Sequence, residues 1–323
     1  MNQINLKNKE YDVIIVGAGF SGLYQLICLR DQLGMNCLVV ETGDDVGGTW
    51  YWNRYPGARC DTESHAYSYY FSDELLKEWT WSERYPGHAE IRRYMNFVAD
   101  KFDLKKDILF NHKVTSAQYN EDKICWEITT NNKINFRSKF LITAVGCLSN
   151  ANIPKIKGLE NFKGKYYHTG NWPKNGVSFV GKKVGQIGTG STGIQAVPVI
   201  AEEAKHLTVF QRTANYSVPA RNKPLTENFK IHVKERFKYY RELLKKTPNG
   251  HPFEISDRLV ADVQEQEMQE IYEKAWEKGG LQFRGSFSDL VTNVEANKTA
   301  SDFIKSKINE TVLNKKFAAI LSD

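Results

Sequence analysis

The run YDVIIVGAGFSG (residues 11–22) joins an apolar strand to a glycine-rich turn. Tyr11 to Val16 reads as a strand buried on both faces, as in parallel sheets. Gly17, Ala18, Gly19, Phe20, Ser21 and Gly22 then form a G-x-G-x-x-G turn. Leu23, Leu26, Ile27, Arg30 and Leu33 follow at helical spacing. Cys37 to Glu41 is a second strand that ends in an acid. Together these predict a βαβ unit whose helix N-terminus presents backbone N–H groups to a pyrophosphate.

The plan recurs at KVGQIGTGSTG (residues 183–193). Gly188, Thr189, Gly190, Ser191 and Gly193 make the second turn. Ile194, Val197, Ile200 and Ala201 mark its helix, with Pro198 inside, and Leu207 to Phe210 the return strand. A single glycine motif is weak evidence, but each copy here follows a strand and opens a helix. Two such units predict an α/β chain with two Rossmann-like dinucleotide-binding domains and a helical insertion, and two nucleotides held side by side.

The strand ends differ. Glu41, 19 residues after Gly22, can accept both ribose hydroxyls of an adenosine and would repel a 2′-phosphate, so the first site suits FAD or NAD. The second unit has Gln211, Arg212 and Thr213 there, without an acid. A guanidinium can pair bidentately with a 2′-phosphate, so that site suits NADPH over NADH.

Between the turns lie two further dense runs. Gly47 to Asp61 (GGTWYWNRYPGARCD) combines paired glycines, which let backbone approach a flat ring, with Trp50 and Trp52 as stacking surfaces. Tyr51, Trp52 and Tyr55 are expected in the core, and Asp61 supplies a charge. Phe162-x-Gly164-x-x-x-His168-x-x-x-Trp172-Pro173 reads as a shaped hinge segment, with His168 more suited to a linker than to catalysis.

The sheet continues through Trp126, Ile128, Ile134 and Phe136, and Phe140 to Gly146 is expected as a buried strand. A linker follows through Pro154. This divides the chain into an FAD-binding domain (1–147), an NADPH-binding domain (148–223) and the helical insertion (224–323). In the insertion, Phe229, Val233, Phe237, Tyr240 and Leu244 predict one amphipathic helix ended by Pro248. Met268 to Trp276 predict a second, ended by Gly279 and Gly280. A third is expected to be capped by Ser301 and to carry Ile304, Ile308 and Val312.

Composition narrows the class. The chain has 323 residues, 41% hydrophobic and 25% charged, with a mean hydropathy of −0.51. No run approaches the roughly 18 apolar residues of a membrane span, and the N-terminus carries no signal segment, which makes a cytoplasmic location the expectation. The net charge of +6 is spread along the chain rather than gathered in a nucleic-acid-binding stripe. Five cysteines without a CxxC pair argue against a zinc site and against disulfide reductase chemistry.

Taken together, these residues resemble the type I Baeyer–Villiger monooxygenases, most closely the cyclohexanone monooxygenases. The run from Phe162 to Pro173 matches that family's fingerprint, and Gly47 to Asp61 its second signature. The resemblance covers essentially the whole chain. It implies FAD contacts from Gly17, Gly19, Gly22, Glu41, Gly48, Thr49, Trp50, Asp61, Tyr67 and Val114. It implies NADPH contacts from Arg59, Gly188, Thr189, Gly190, Ser191, Gly193, Gln195, Arg212 and Thr213. It also implies that Asp61 orients a catalytic arginine lying beyond Asp323, so the chain is expected to be an incomplete enzyme. The reaction implied is insertion of oxygen from O2 beside a ketone carbonyl. Oxidation of sulfur or nitrogen, or an inactive nucleotide-binding fragment, are the alternatives.

Overall fold

In the computed structural model the described residues are 10–322. Residues 1–9, where no signal segment is expected, and Asp323, the end of the expected insertion, lie outside them. In chain order the elements are β1 (Glu10–Val16), α1 (Phe20–Leu26), β2 (Cys37–Val40), α2 (Thr49–Trp52), α3 (Asp73–Glu78) and α4 (His88–Lys101). Then come β3 (Ile108–Leu109), β4 (Val114–Asn120), β5 (Cys125–Thr130), β6 (Asn135–Thr143), β7 (Lys183–Ile187), α5 (Ser191–Glu203) and β8 (His206–Phe210). The remainder is helical: α6 (Glu227–Glu235), α7 (Phe237–Lys246), α8 (Glu265–Lys278), α9 (Val294–Thr311) and α10 (Lys315–Ser322).

The described residues form two units that are discontinuous in sequence. One comprises 10–55 with His88–Val177, the other Pro56–Gly87 with 178–322. The segment Pro56–Gly87, inside the sequence range 1–147, therefore belongs with the second unit.

The first unit is built on a six-stranded sheet of order β3-β2-β1-β6-β5-β4. β1 pairs in parallel with β2 and β6, and β2 with β3, while β4, β5 and β6 pair antiparallel. Val13, Ile14 and Ile15 and all four residues of β2 are buried, as continuous apolar runs in a parallel sheet require. The run from Phe140 departs from its expected burial. Although β6 is hydrogen-bonded on both edges, Phe140 is 56% exposed and Val145 50%. An apolar run specifies a strand, but not that both of its faces are covered.

The second unit holds a two-stranded parallel sheet, β7 with β8, connected by α5 with Pro198 inside it. Both glycine motifs thus sit in β-turn-α-β units, and the chain is an α/β protein with Rossmann-like domains. The helical part differs from expectation in two places. The single helix expected from Phe229 to Leu244 is broken at Arg236 (φ −113°, ψ 18°), and both pieces reach one ring. Phe229 of α6 and Tyr240 of α7 meet His65 edge-on, with centroids 5.5 and 4.9 Å away. The third helix begins earlier than expected. Asn293 caps α9 by accepting from the amides of Glu295 and Ala296, whereas Ser301 lies mid-helix and donates to the Asn297 carbonyl. The second helix, α8, ends at Gly279 (φ 69°), as expected.

The core of this helical part is aromatic. Tyr272, on α8, stacks on Phe283 and meets Phe287 and Phe303 at centroid distances of 5.3–5.5 Å. Such pairs add about 0.5–1.5 kcal/mol each beyond area burial. Truncating the central, fully buried Tyr272 to alanine is expected to cost about 3–5 kcal/mol, read as a lower urea midpoint.

Candidate nucleotide-binding sites

In the first unit β1 runs into Gly17 (φ +106°), and α1 starts from Gly19 with no side-chain cap, leaving its first-turn amides to a ligand. The glycines are needed for backbone packing. A Cβ on Gly22 would lie 1.8 Å from the Gly17 carbonyl oxygen. A Cβ on Gly48 would lie 2.8 Å from the Gly19 Cα, and the Gly47 amide donates to the Ala18 carbonyl at 3.1 Å. Two glycine turns thus meet backbone to backbone.

Glu41 is 6% exposed at the end of β2. Its Oε2 accepts from the Ala18 amide and its Oε1 from the Gly43 amide, both at 2.7 Å. The carboxylate therefore fastens the glycine turn to the strand end, and each oxygen keeps a second lone pair for a ribose hydroxyl. Thr49 and Trp50 open α2, and Trp50 is buried with Tyr51 and Tyr55, whereas Trp52, expected in the core, is only partly buried. Val114 begins β4 next to a register shift.

The second unit repeats this geometry. Gly188 (φ +102°) donates to the Phe210 carbonyl, and α5 starts from Gly190 without a side-chain cap. A Cβ on Gly193 would lie 2.4 Å from the Gly188 carbonyl oxygen, the counterpart of Gly22 against Gly17. Thr189 and Ser191 flank the turn, and Arg212 and Thr213 follow β8, both exposed. Gln186, which sequence reasoning missed, donates from Nε2 to the Gly193 carbonyl at 3.0 Å and ties strand to turn. A polar residue on a predicted strand was its only signal.

Gln195 joins α5 to the other half of this unit. Its Nε2 donates to the Arg59 carbonyl at 3.2 Å and to Asp61 Oδ1 at 2.9 Å, while the Arg59 amide donates to its Oε1. Arg59 itself lies 3.6 Å from Glu83 and donates to the Tyr85 carbonyl. Gln195, on α5, thus brings Arg59 and Asp61 together beside that helix. Asp61 and Tyr67, which the resemblance assigns to FAD, belong to the unit that carries the second glycine motif rather than the one with Glu41.

The Asp61 carboxyl is open to solvent on one side yet surrounded by protein atoms elsewhere. This desolvation raises its pKa above the ordinary value, against the Gln195 amide, which lowers it. The folded state therefore holds this proton to a higher pH than the unfolded chain. Ionised Asp61 costs stability above its folded pKa, and the cost fades as pH falls toward the unfolded value of about 3.9. Asp61→Asn is accordingly expected to raise the urea midpoint at about pH 7, by a margin that shrinks as the pH is lowered. A lower midpoint at neutral pH would contradict this.

His168 accepts from the Gly170 amide at 3.1 Å through Nδ1 and closes the turn Thr169–Asn171. Lys174, just past Trp172 and Pro173, pairs with Asp44, whose carboxylate also accepts from Tyr51. Among the described residues no cluster of three potential metal ligands occurs, and no helix is long and apolar enough to cross a membrane.

Residues 10–278 match the flavin-binding monooxygenase-like family, and the chain belongs to it. It is 45% identical over 308 residues to cyclohexanone 1,2-monooxygenase of an Acinetobacter species, covering 94% of this chain and 56% of that protein. It is 42% identical over 313 residues to 2-oxo-Δ3-4,5,5-trimethylcyclopentenylacetyl-CoA monooxygenase of Pseudomonas putida, covering 95% and 57%. Among solved structures, OTEMO in complex with FAD and NADP superposes with a TM-score of 0.92 at 42% identity, over 96% of this chain and 60% of that one. The chain thus spans somewhat over half the length of the curated relatives it matches.

Proposed function

We propose that this chain is the nucleotide-binding part of an FAD- and NADPH-dependent monooxygenase that inserts oxygen from O2 beside a ketone carbonyl to give an ester or lactone. The observation that carries this reading is the duplicated cradle. In each unit the third glycine packs on the first glycine's carbonyl and an uncapped helix starts from the second, yet only the first strand ends in an acid. The names of the relatives, ketone oxygenases among them, point to the same chemistry.

In the first cradle, Gly17, Gly19 and Gly22 admit the pyrophosphate, Glu41 takes the ribose hydroxyls, and Gly48, Thr49, Trp50 and Val114 line the FAD. Asp61 and Tyr67 are assigned to the same cofactor. In the second, Gly188, Thr189, Gly190, Ser191 and Gly193 hold the NADPH pyrophosphate, Arg212 and Thr213 its 2′-phosphate, and Arg59 and Gln195 flank it. Bound flavin would supply the oxygen activation, as cofactors do the chemistry that side chains cannot. The protein contributes geometry and charge. Gln195 holds one oxygen of Asp61, leaving the other to orient and keep charged a cation beside the developing oxyanion. The substrate is a small-molecule ketone.

The cofactor half is tested on this chain directly. Purified protein should retain flavin that NADPH bleaches under anaerobic conditions. Arg212→Ala should weaken NADPH about 10- to 100-fold while sparing NADH, the value of a charge-assisted contact. Unchanged selectivity would remove Arg212 from the site. Ketone oxygenation is tested in the full-length enzyme, where Asp61→Ala should abolish ester formation.

A further inference from the structure

The residue that follows the second strand takes a different partner in each nucleotide unit. Glu41 follows β2 and fastens the first glycine turn. Gln211 follows β8 at the matching place, yet its side chain turns to the helical part. Its Nε2 donates to the Ile320 carbonyl of α10 at 2.8 Å. Further along, Tyr216 donates from its hydroxyl to the Ser322 carbonyl of the same helix at 3.2 Å. Both acceptors lie in the last turn of α10, whose carbonyls have no partner within the helix. Between these two anchors lie Arg212 and Thr213.

Residues 211–223 form neither helix nor strand, so no ladder or helical bond fixes the path of Arg212 and Thr213. The helix they are anchored to is itself held firmly. The Asn314 side chain accepts from the Lys316 and Phe317 amides at the start of α10, at 3.0 and 3.2 Å, and Ala318 is fully buried. Lys315 Nζ donates to the Asn309 carbonyl of α9 at 2.7 Å. Helix α9 carries Phe303 and Ile304 into the aromatic core, and its Lys305 ammonium lies over the Tyr216 ring, 5.6 Å from the centroid. The stretch is thus tied through α10 and α9 to the packed centre of the helical part.

A guanidinium on a long side chain pairs well with phosphate only from a fixed base, because every group ordered on binding subtracts from affinity. We infer that Gln211 and Tyr216 are positioning residues for NADPH. By pinning both ends of the Arg212–Thr213 stretch to the carbonyl end of α10, they hold the guanidinium where the 2′-phosphate binds, and so sharpen the preference for NADPH over NADH. The inference rests on the proposed assignment of Arg212 and Thr213 to that phosphate. NADH has no 2′-phosphate and does not draw on the anchor.

The test is titration of the purified chain with NADPH and with NADH, for the unaltered protein and for Gln211→Ala, Tyr216→Phe and Arg212→Ala. Tyr216→Phe removes the hydroxyl alone and keeps the ring beneath Lys305. Each anchor variant is expected to weaken NADPH about fivefold, the size of one net hydrogen bond, and to leave NADH unchanged. A merely structural role would instead weaken both nucleotides alike. Equal weakening of the two, or an unaltered NADPH-to-NADH ratio in both anchor variants while Arg212→Ala loses that ratio, would overturn the inference and leave the phosphate assignment standing. An unaltered ratio in Arg212→Ala, or no NADPH binding by the unaltered chain, would overturn the assignment and the inference with it.

Discussion

Gly57→Ala is expected to detach the segment bearing Arg59 and Asp61 from the second nucleotide motif. Gly57 sits at φ +78°, and a Cβ there would lie 2.1 Å from the Gln195 carbonyl oxygen and 3.2 Å from the Val199 side chain. The first effect costs an L-residue about 1–2 kcal/mol in the left-handed region. The second is overpacking, about 1–3 kcal/mol. The clashing atom is the backbone of α5, so relief requires either bending that helix or lifting the turn. Lifting it breaks the three hydrogen bonds of Gln195 to Arg59 and Asp61. NADPH affinity is therefore expected to fall at least tenfold, about 1.4 kcal/mol, with a lower melting temperature. Gln195→Ala removes the same hydrogen bonds without the clash and should show a smaller loss of both. Wild-type NADPH affinity and melting in Gly57→Ala would mean that the turn accommodates a methyl group and that its glycine has no part in the site.

The Gly57 contact also shows what sequence makes legible. Both βαβ units could be read residue by residue, because local rules govern them: an apolar run, glycines where backbone meets backbone, and helical spacing after the turn. Glu41 could be read because its place at a strand end is fixed by the same motif. The meeting of Gly57 with Gln195 could not, because it joins positions 138 residues apart and depends on how the chain returns. The break at Arg236 was hidden for a similar reason. The apolar spacing from Phe229 to Leu244 fits one helix, and only the meeting of Phe229 and Tyr240 on His65 distinguishes two. Ser301 misled because serine suits a cap, while Asn293, eight residues earlier, already fills that role. Phe140 misled because hydrophobicity marks a strand, not what lies over it.

Glu63→Gln is expected to be the most destabilising conservative change in the second unit. Glu63 is 3% exposed and sits two residues past Asp61. Its Oε1 takes the Arg84 guanidinium at 3.0 Å and accepts from Tyr85 and Gln282, both at 3.3 Å. Arg84 in turn donates to the carbonyls of Lys278 and Gly279 at the end of α8, where a cation complements the helix dipole. The pair therefore fastens Pro56–Gly87, with Arg59 and Asp61 on it, to the helical part. A neutral amide in place of Glu63 leaves Arg84, whose side chain is 17% exposed, without its counter-charge. Breaking one side of a buried pair costs about 3–5 kcal/mol. At roughly 2–4 °C per kcal/mol for domains of this size, the melting temperature should drop by about 10 °C. Arg84→Met alone should cost a similar amount. The double substitution should cost well below the sum, because the second change has no pair left to break. Raising the salt concentration should barely alter these differences, since burial limits screening. Additive losses, or losses that vanish in high salt, would show instead that Glu63 and Arg84 act as independent surface charges and that another contact holds the Asp61 segment to α8.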